Sequence, residues 1–534
     1  MLEGCVPWPE EFARRYRDRG YWRPVRLDEP LREWAARDPD RVAMVEPDRR
    51  MTYGELDRWV DRLAGGLRTL GVTEGDRVVV QLPNTLEFVA VTFALLRLGA
   101  PPVFALPSHR DSELRHLWEA SGAVALVIPD RYLGYDHREL ARRLDLPGRI
   151  VVTGDAEEFH PFDGLDADPV PTGVGPADVA LFLLSGGTTG RPKLIPRTHE
   201  DYDYNLRVSA DNAGLSERDV YLAVLPAGHN YALGCPGILG TLLVGGRVVL
   251  APTPSVDDAF SLVERERVTV TGLVPPLALL WTDLADLADT DLSSLRLVQV
   301  GGAKFGAEAA RRFTQALRCA LQQSFGMAEG LLSQSAPDDP PELVATTQGR
   351  PISPDDEVRV VDEAGHDVPT GQEGELLVRG PYTFRGYYRA EEHNARVFTP
   401  DGFFRTGDVV RLLDSGHLVV EGRIKDQINR GGDKVPAEEL EDLVAAHPAV
   451  HDCAVVGMPD PVLGERTCAF VVAHGDPPQL ADIVGHLRER GVAAFKLPDR
   501  LEVLPSFPRT PVGKIDKVRL RELARERTTA EAAR

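Results

Sequence analysis

Short apolar runs recur along this chain at spacings that leave room for about one helix between them. Arg77 to Leu82, Val124 to Ile128, Val179 to Leu184, Val220 to Leu225, Arg247 to Leu250, Val268 to Leu273 and Leu295 to Val300 are rich in Val, Ile and Leu and only a few residues long. Near-continuous apolar strands are buried on both faces, as in parallel sheets. Tyr53 to Leu70 and Leu86 to Leu98 carry apolar residues at helical spacing, the second stopped by Gly99, and Pro30 to Arg37 is a shorter amphipathic piece. Strand and helix in alternation predict an α/β fold, with a mostly parallel sheet covered on both sides.

After about Gln348 the texture changes. Glu357 to Val361, Glu375 to Arg379, Phe403-Phe404 and Val409 to Leu413 are short strands between turn signals, which predict a smaller β-rich subdomain. Charge and glycine are dense from Gly422 to Gly432. Beyond that lie a helix (Ala437 to Val444), two strands (Val450 to Val456 and Thr467 to Val472), a helix (Leu480 to Arg490) and a strand (Arg500 to Val503). At 534 residues more than one core is expected. The reading is a large N-terminal domain of parallel and mixed sheets with flanking helices over 1–422, with its β-rich subdomain at about 348–422. A hinge follows at 423–427, then a small mobile α+β C-terminal domain over 428–534, whose charged tail from Arg521 to Arg534 frays.

A net charge of −21 repels nucleic acid and anionic membrane, so neither is expected as a partner. The longest apolar runs are too short to span a bilayer. Five scattered cysteines with no CxxC or Cys/His spacing read as reduced thiols. The charged N-terminus lacks the apolar core of a signal peptide. A cytoplasmic protein is expected.

The strand ending at Leu184 drops into Ser185-Gly186-Gly187-Thr188-Thr189-Gly190-Arg191-Pro192-Lys193. Glycines let backbone N–H groups form an anion-binding concavity, and the hydroxyls and the lysine beside it suit phosphate. The order differs from a P-loop, which needs Gly-Lys-Ser/Thr opening a helix. Gly301-Gly302-Ala303-Lys304 and Ser324-Phe325-Gly326-Met327-Ala328-Glu329-Gly330 each follow a predicted strand. In an open parallel sheet, ligands collect beyond the carboxyl ends of the strands, so three such loops could surround one nucleotide. Glu329 is the type of carboxylate Mg²⁺ takes while it also binds phosphate oxygens. Thr406-Gly407-Asp408 offers an Asp after a tight turn, suited to ribose hydroxyls, and Arg423 could reach the same sugar. Gly513-Lys514 places a lysine on a Pro/Gly-framed loop. Each of these alone is weak.

Taken in this order and at these distances, the set resembles the adenylate-forming superfamily of acyl-CoA ligases, luciferases and non-ribosomal adenylation domains, over nearly the whole chain. The resemblance implies that ATP and a carboxylic acid give an acyl-adenylate and pyrophosphate, after which a thiol takes the acyl group. It implies that Ser185, Gly186, Gly187, Thr188, Thr189, Gly190 and Lys193 hold the β- and γ-phosphates and that Glu329 helps hold Mg²⁺. Gly301, Gly302 and Ala303 with Ser324, Phe325, Gly326, Met327 and Ala328 would line the nucleotide site, with Gly302, Ser324 and Phe325 flanking the adenine. Asp408 and Arg423 would hold the ribose. Lys514 would bridge the carboxylate and the α-phosphate. Rotation about Lys425 would then replace Lys514 with Gly431-Gly432-Asp433-Lys434 near the thiol. The reaction joins two anions, so cations must offset their repulsion.

The stretch His229-Asn230-Tyr231, the opening Trp8-Pro9-Glu10-Glu11-Phe12 and the segment Gly380 to Tyr388 look like the stand-alone aryl-acid ligases of siderophore assembly. In amino-acid-activating relatives an Asp stands where this chain has Asn230. A neutral amide cannot pair with an α-ammonium but can hydrogen-bond a phenolic ortho-hydroxyl. The acid would lie among His229, Asn230, Tyr231, Cys235, Gly302 and Leu332. By the same resemblance, 2,3-dihydroxybenzoate enzymes carry Ser and Val where this chain has Cys235 and Leu332, whereas salicylate enzymes carry this Cys/Leu pair. Cysteine is the poorer donor, and a polar group left without a partner costs about 1–3 kcal/mol. Salicylate or a substituted salicylate is therefore expected ahead of 2,3-dihydroxybenzoate. No carrier domain follows Lys514, so the thiol is expected in trans, from an aryl carrier protein or, second, coenzyme A. An aryl-CoA ligase and an inactive nucleotide-binding homologue are the competing readings. The second is opposed by the intact Lys193, Glu329, Asp408, Arg423 and Lys514.

Overall fold

The computed structural model describes residues 2–169, 171–185, 192–285, 287, 289–430, 433–460, 464–490, 492, 496–510 and 513–532, and the statements below refer to these. The chain forms two compact units. The larger holds the chain up to Glu357 together with Arg379–Phe404, and the smaller holds Val358–Val378 and Arg405–Arg534.

Two main sheets make up the larger unit, matching the parallel and mixed sheets expected of it. The first runs, in order, Arg350–Pro351, Leu332–Gln334, Ala320–Gly326, Leu297–Gly301, Val270–Leu273, Val220–Ala223, Arg247–Leu250, Val42–Val45 and Arg50–Thr52. Its middle is parallel, from Ala320–Gly326 through Val42–Val45, and antiparallel strands close both edges. The second runs Leu194–Thr198, Val179–Leu184, Pro102–Phe104, Val78–Val80, Ala125–Pro129, Arg149–Thr153 and His160–Pro161, parallel except for the edge hairpin of Leu194–Thr198 on Val179–Leu184. Helix Leu86–Leu98 is buried along its whole length. Thr85 caps its start, and Gly99 ends it in the left-handed region at φ +75°.

The predicted 179–184 strand and the 86–98 helix are found at those bounds. The N-terminal residues form helix Glu10–Asp18, and Trp8 packs edge-on against both Tyr16 and Trp22. The Trp22 indole donates to the Pro381 carbonyl at 2.8 Å, tying this start of the chain to the Gly380–Tyr388 segment.

In the smaller unit, one sheet runs Glu357–Val361, Glu373–Arg379, Phe404–Leu412 and Leu418–Arg423. A second pairs Asp433–Pro436, Gln427–Arg430, Gly464–Ala473 and Val450–Asp460, with Arg500–Val503 parallel to Gly464–Ala473. Phe403-Phe404 and Val409 to Leu413, read as separate pieces, are joined by the single strand Phe404–Leu412. The tail also differs from expectation. Lys517–Ala532 is helical, and Leu520 and Ala524, four apart, bury against Val456 and Phe470. Among the described residues no helix is long and apolar enough to cross a membrane.

Candidate active site

The predicted phosphate loop grows from the edge hairpin of the second sheet. Ser185 N–H donates to the Lys193 carbonyl and Lys193 N–H to the Ser185 hydroxyl, both at 3.0 Å, so the two ends of the loop are joined. Gly186, Gly187, Thr188, Thr189, Gly190 and Arg191 lie outside the described residues. Lys193 Nζ stands 5.6 Å from the Tyr387 ring centroid, and the Tyr387 hydroxyl donates to Glu329 Oε1 at 2.7 Å. One buried phenol thus links the cation of the first motif to the carboxylate of the third. Tyr388 N–H to the Leu194 carbonyl (3.0 Å) and Phe384 N–H to the Glu329 carbonyl (2.7 Å) hold this segment in place. Tyr387 lay in a segment quoted from the sequence, but nothing there marked its hydroxyl as a partner of Glu329.

Arg197 makes a second link between the sheets. Its side chain is fully buried, its Nε donates to Asp201 at 2.9 Å, and its Nη1 donates to the Ala328 carbonyl at 3.2 Å. The glycine-rich loops therefore come from two sheets and not from one open edge.

On the first sheet, Leu297–Gly301 and Ala320–Gly326 run parallel with Gly301 opposite Ser324. A Cβ at Gly301 would stand 2.6 Å from the Ser324 carbonyl oxygen and 3.1 Å from the Tyr231 ring, so the close approach of these groups requires glycine. Gly302 and Ala303 follow the strand end, and Phe325 and Gly326 pair with Ser333 and Leu332. The Ser324 hydroxyl accepts from Gln334 at 3.1 Å. Met327 to Gly330 close a tight turn through Gly330 N–H to the Met327 carbonyl, which sets out Ala328 and Glu329. These residues sit at the carboxyl ends of adjacent parallel strands, where ligands bind in such sheets.

Close by, His229 caps the short helix Asn230–Gly234, its Nδ1 accepting from Tyr231 N–H at 3.3 Å. Asn230 Oδ1 accepts from the Tyr202 hydroxyl at 2.8 Å, and its Nδ2 donates to Cys235 Sγ at 3.6 Å. Cys235 and Leu332, each 2% exposed, belong to one apolar cluster with Tyr16, Trp22, Tyr204 and Tyr382, against which Tyr231 packs. Burial pushes the Cys235 thiol up to about 12, so it is neutral. Behind Leu332, the Tyr382 hydroxyl donates to Asp356 at 2.6 Å. Burial lifts the Asp356 carboxyl to about 7. Tyr202, Arg197 and Asp356 carry no motif, and sequence reading did not find them.

In the smaller unit, Asp408 lies within Phe404–Leu412, directly opposite Arg423, with Nε and Oδ1 2.9 Å apart. The expected tight turn is instead part of the continuous strand, with Gly407 in the left-handed region at φ +71°. Thr406 Oγ1 accepts from Asp408 N–H and donates to the Leu376 carbonyl, both at 3.0 Å. Burial raises the Asp408 carboxyl, and Arg423 opposes that rise. Lys514 belongs to the same neighbourhood. Enclosure, then the Arg423 charge, push its ammonium down to about 8, while Asp408 and Glu438 oppose. The Lys425 backbone lies in the single turn Ile424–Asp426. Its side chain, those of Asp433 and Lys434, and Gly431 and Gly432 lie outside the described residues.

The larger unit thus carries a cation and a carboxylate joined by one phenol, with an amide beside a buried apolar cluster. The smaller carries an Asp–Arg pair and an enclosed lysine. Known proteins resemble this chain over nearly its whole length. A family model described as AMP-binding enzyme matches residues 31–388, and one described as AMP-binding enzyme C-terminal domain matches 439–514. The chain is 55% identical over 535 residues to a 2,3-dihydroxybenzoate-AMP ligase of Bacillus subtilis (strain 168), covering 99% of each. It is 50% identical over 530 residues to a Mycobacterium tuberculosis protein named salicyl-AMP ligase / salicyl-S-ArCP synthetase, covering 97% of this chain and 94% of that one. The apo structure of MbtA from Mycobacterium smegmatis matches with a TM-score of 0.76 at 51% identity, over 97% and 98% of the two chains. With both family models matched in order and relatives at this identity spanning the full length, the chain belongs to the AMP-binding enzymes.

Proposed function

We infer that the protein is an aryl-acid–AMP ligase, and that its acid is salicylate or a substituted salicylate. The relatives at 50% and 55% identity are named for both salicylate and 2,3-dihydroxybenzoate, so identity alone leaves the ring pattern open. The observation that carries the choice is the pocket wall. The Asn230 amide stands between the Tyr202 hydroxyl and Cys235, with Leu332 in the same buried cluster. An amide supports one ortho-hydroxyl. A neutral thiol and an isobutyl group offer little to a second hydroxyl at position 3.

In the first half-reaction a carboxylate oxygen bonds to the α-phosphorus of ATP. The bond from that phosphorus to the bridging oxygen breaks, and pyrophosphate leaves with the electron pair. Ser185 to Lys193 would steady the β- and γ-phosphates, Asp408 and Arg423 the ribose, and Lys514 the reacting oxygens. Catalysis is then by position and charge, without a covalent enzyme intermediate. In the second half-reaction a thiolate bonds to the acyl carbon and AMP leaves. We assign the thiol to an aryl carrier protein in trans, with coenzyme A as the other acceptor. A hinge at 423–427 would turn residues 428–534 between the two steps and bring Gly431 to Lys434 into play.

Glu329 fits a Mg²⁺ ligand. It is a buried carboxylate fixed by Tyr387, and among the described residues no cluster of three or more His, Cys, Asp or Glu could hold a metal by itself. That suits an ion taking most of its ligands from phosphates and water, where it would neutralise charge on the leaving group.

Pyrophosphate exchange with benzoate, salicylate, 2,3-dihydroxybenzoate, 6-methylsalicylate and 3-hydroxyanthranilate tests this reading. A salicylate is expected to give the highest kcat/KM, and a clear lead for 2,3-dihydroxybenzoate refutes the assignment from Cys235 and Leu332.

A further inference from the structure

Tyr202 has no part in the chemistry above, yet it stands directly behind Asn230. It lies in helix His199–Asn212 and is fully buried. Its hydroxyl reaches Asn230 Oδ1 only because residue 234 is glycine, since a Cβ there would stand 2.1 Å from the Tyr202 oxygen. The Arg197 guanidinium sits 4.9 Å from the centroid of the Tyr202 ring and pins it by a cation–π contact. Burial also pushes the phenol well above the ordinary tyrosine range, so its proton stays on and the hydroxyl remains a donor. A primary amide has an accepting oxygen on one side and a two-proton nitrogen on the other. With Oδ1 taken by Tyr202, Nδ2 turns toward Cys235 at 3.6 Å. A thiol sulfur is a weak acceptor, and a ligand oxygen at that place would be a far better one.

We propose that Tyr202 fixes which side of the Asn230 amide faces the substrate, and so makes the site select aryl acids whose ortho group accepts a hydrogen bond. This rests on Asn230 being the contact for the ortho group. In a 2-hydroxy acid the phenolic proton is already donated to the neighbouring carboxylate, which leaves the hydroxyl oxygen purely an acceptor, matched to Nδ2. A 2-amino acid differs. One N–H serves the carboxylate, the second points outward, and the nitrogen lone pair is drawn into the ring. Its outward proton meets the protons of Nδ2, and neither finds an acceptor. Tyr202 is on this account a positioning residue that acts through Asn230.

The test measures kcat/KM by pyrophosphate exchange for salicylate, 2-fluorobenzoate, benzoate and 2-aminobenzoate, on the whole chain and on its Tyr202→Phe variant. Benzoate, with no ortho group, is the internal reference for general damage. The unaltered protein is expected to prefer salicylate over 2-aminobenzoate by about a hundredfold, since buried polar groups left unmatched discriminate strongly. Tyr202→Phe keeps the ring and frees the amide to turn. The preference should then shrink by about tenfold or more, with 2-aminobenzoate rising relative to benzoate. A preference unchanged in the variant, or an equal fall for all four acids, overturns the proposal. Should the variant not fold, the unaltered protein decides: 2-fluorobenzoate, an acceptor only, must outrun 2-aminobenzoate, and the reverse order overturns it. A protein active with salicylate but failing these comparisons sinks the orientation alone. One inactive with every aryl acid sinks the proposed function as well.

Discussion

Cys235 and Leu332 are far apart in the chain and meet in one buried cluster. Each is small in effect alone, because one lost donor or one added methylene moves a preference by only about 1–3 kcal/mol. Together they are expected to set the ring pattern. Cys235→Ser with Leu332→Val should raise kcat/KM for 2,3-dihydroxybenzoate relative to salicylate by about tenfold, read by pyrophosphate exchange, and an unmoved ratio would place the discrimination elsewhere. The residues singled out in the sequence are those whose charge or lack of a side chain the proposed chemistry would use: Lys193, Glu329, Asp408, Lys514 and the glycines. Tyr387 and Tyr202 were not legible. An aromatic residue in a run of ordinary sequence carries no mark of which carboxylate or amide its hydroxyl will find, and that pairing exists only after the chain has folded.

Elements were read well where the pattern was strong and local. Helix Leu86–Leu98 is apolar over most of its length and bounded by Thr85 and Gly99, so its limits are written in the chain. Assigning strands to sheets is another matter. Val78–Val80 and Val42–Val45 are both apolar throughout and lie in different sheets, and only non-local pairing separates them. Glycine inside Thr406-Gly407-Asp408 suggested a turn, whereas a long strand takes it in, Gly407 adopting a positive φ within it. The C-terminal helix Lys517–Ala532 was misjudged from its charge. Leu520 and Ala524 are completely buried against strands of the smaller unit, and an amphipathic helix needs no more than such a stripe to dock. Leu520→Ala is expected to destabilise that unit by about 2–5 kcal/mol, whereas Arg519→Ala on the exposed face should stay within about 0.5 kcal/mol. Amide hydrogen exchange in Gly464–Ala473 would report the difference, and equal effects would mean the helix is not docked.

For the whole molecule, the groups proposed to act in the reaction are divided between the two units. Lys514 lies with Asp408 and Arg423 in the smaller, while Lys193, Glu329 and the cluster of Cys235 and Leu332 lie in the larger. Lys514→Ala is expected to abolish adenylation yet spare thioester transfer from preformed aryl-AMP, and equal loss of both would refute a role confined to the first step. The same division predicts a pH signature. The Lys514 ammonium is held down to about 8, so it is charged below that pH and neutral above. In the free enzyme kcat/KM for adenylation should fall as pH rises through about 8, and transfer from preformed adenylate should lack that limb. The joined ends of the phosphate loop bear on what the nucleotide must do when it arrives. Ser185 and Lys193 are already hydrogen-bonded to each other across the hairpin. The entropy of bringing the two ends of a loop together is therefore lost during folding of the larger unit, not at each catalytic cycle. On the proposed function, a triphosphate bound there would not meet that closing cost, and pyrophosphate could depart without unmaking the Ser185–Lys193 pairing.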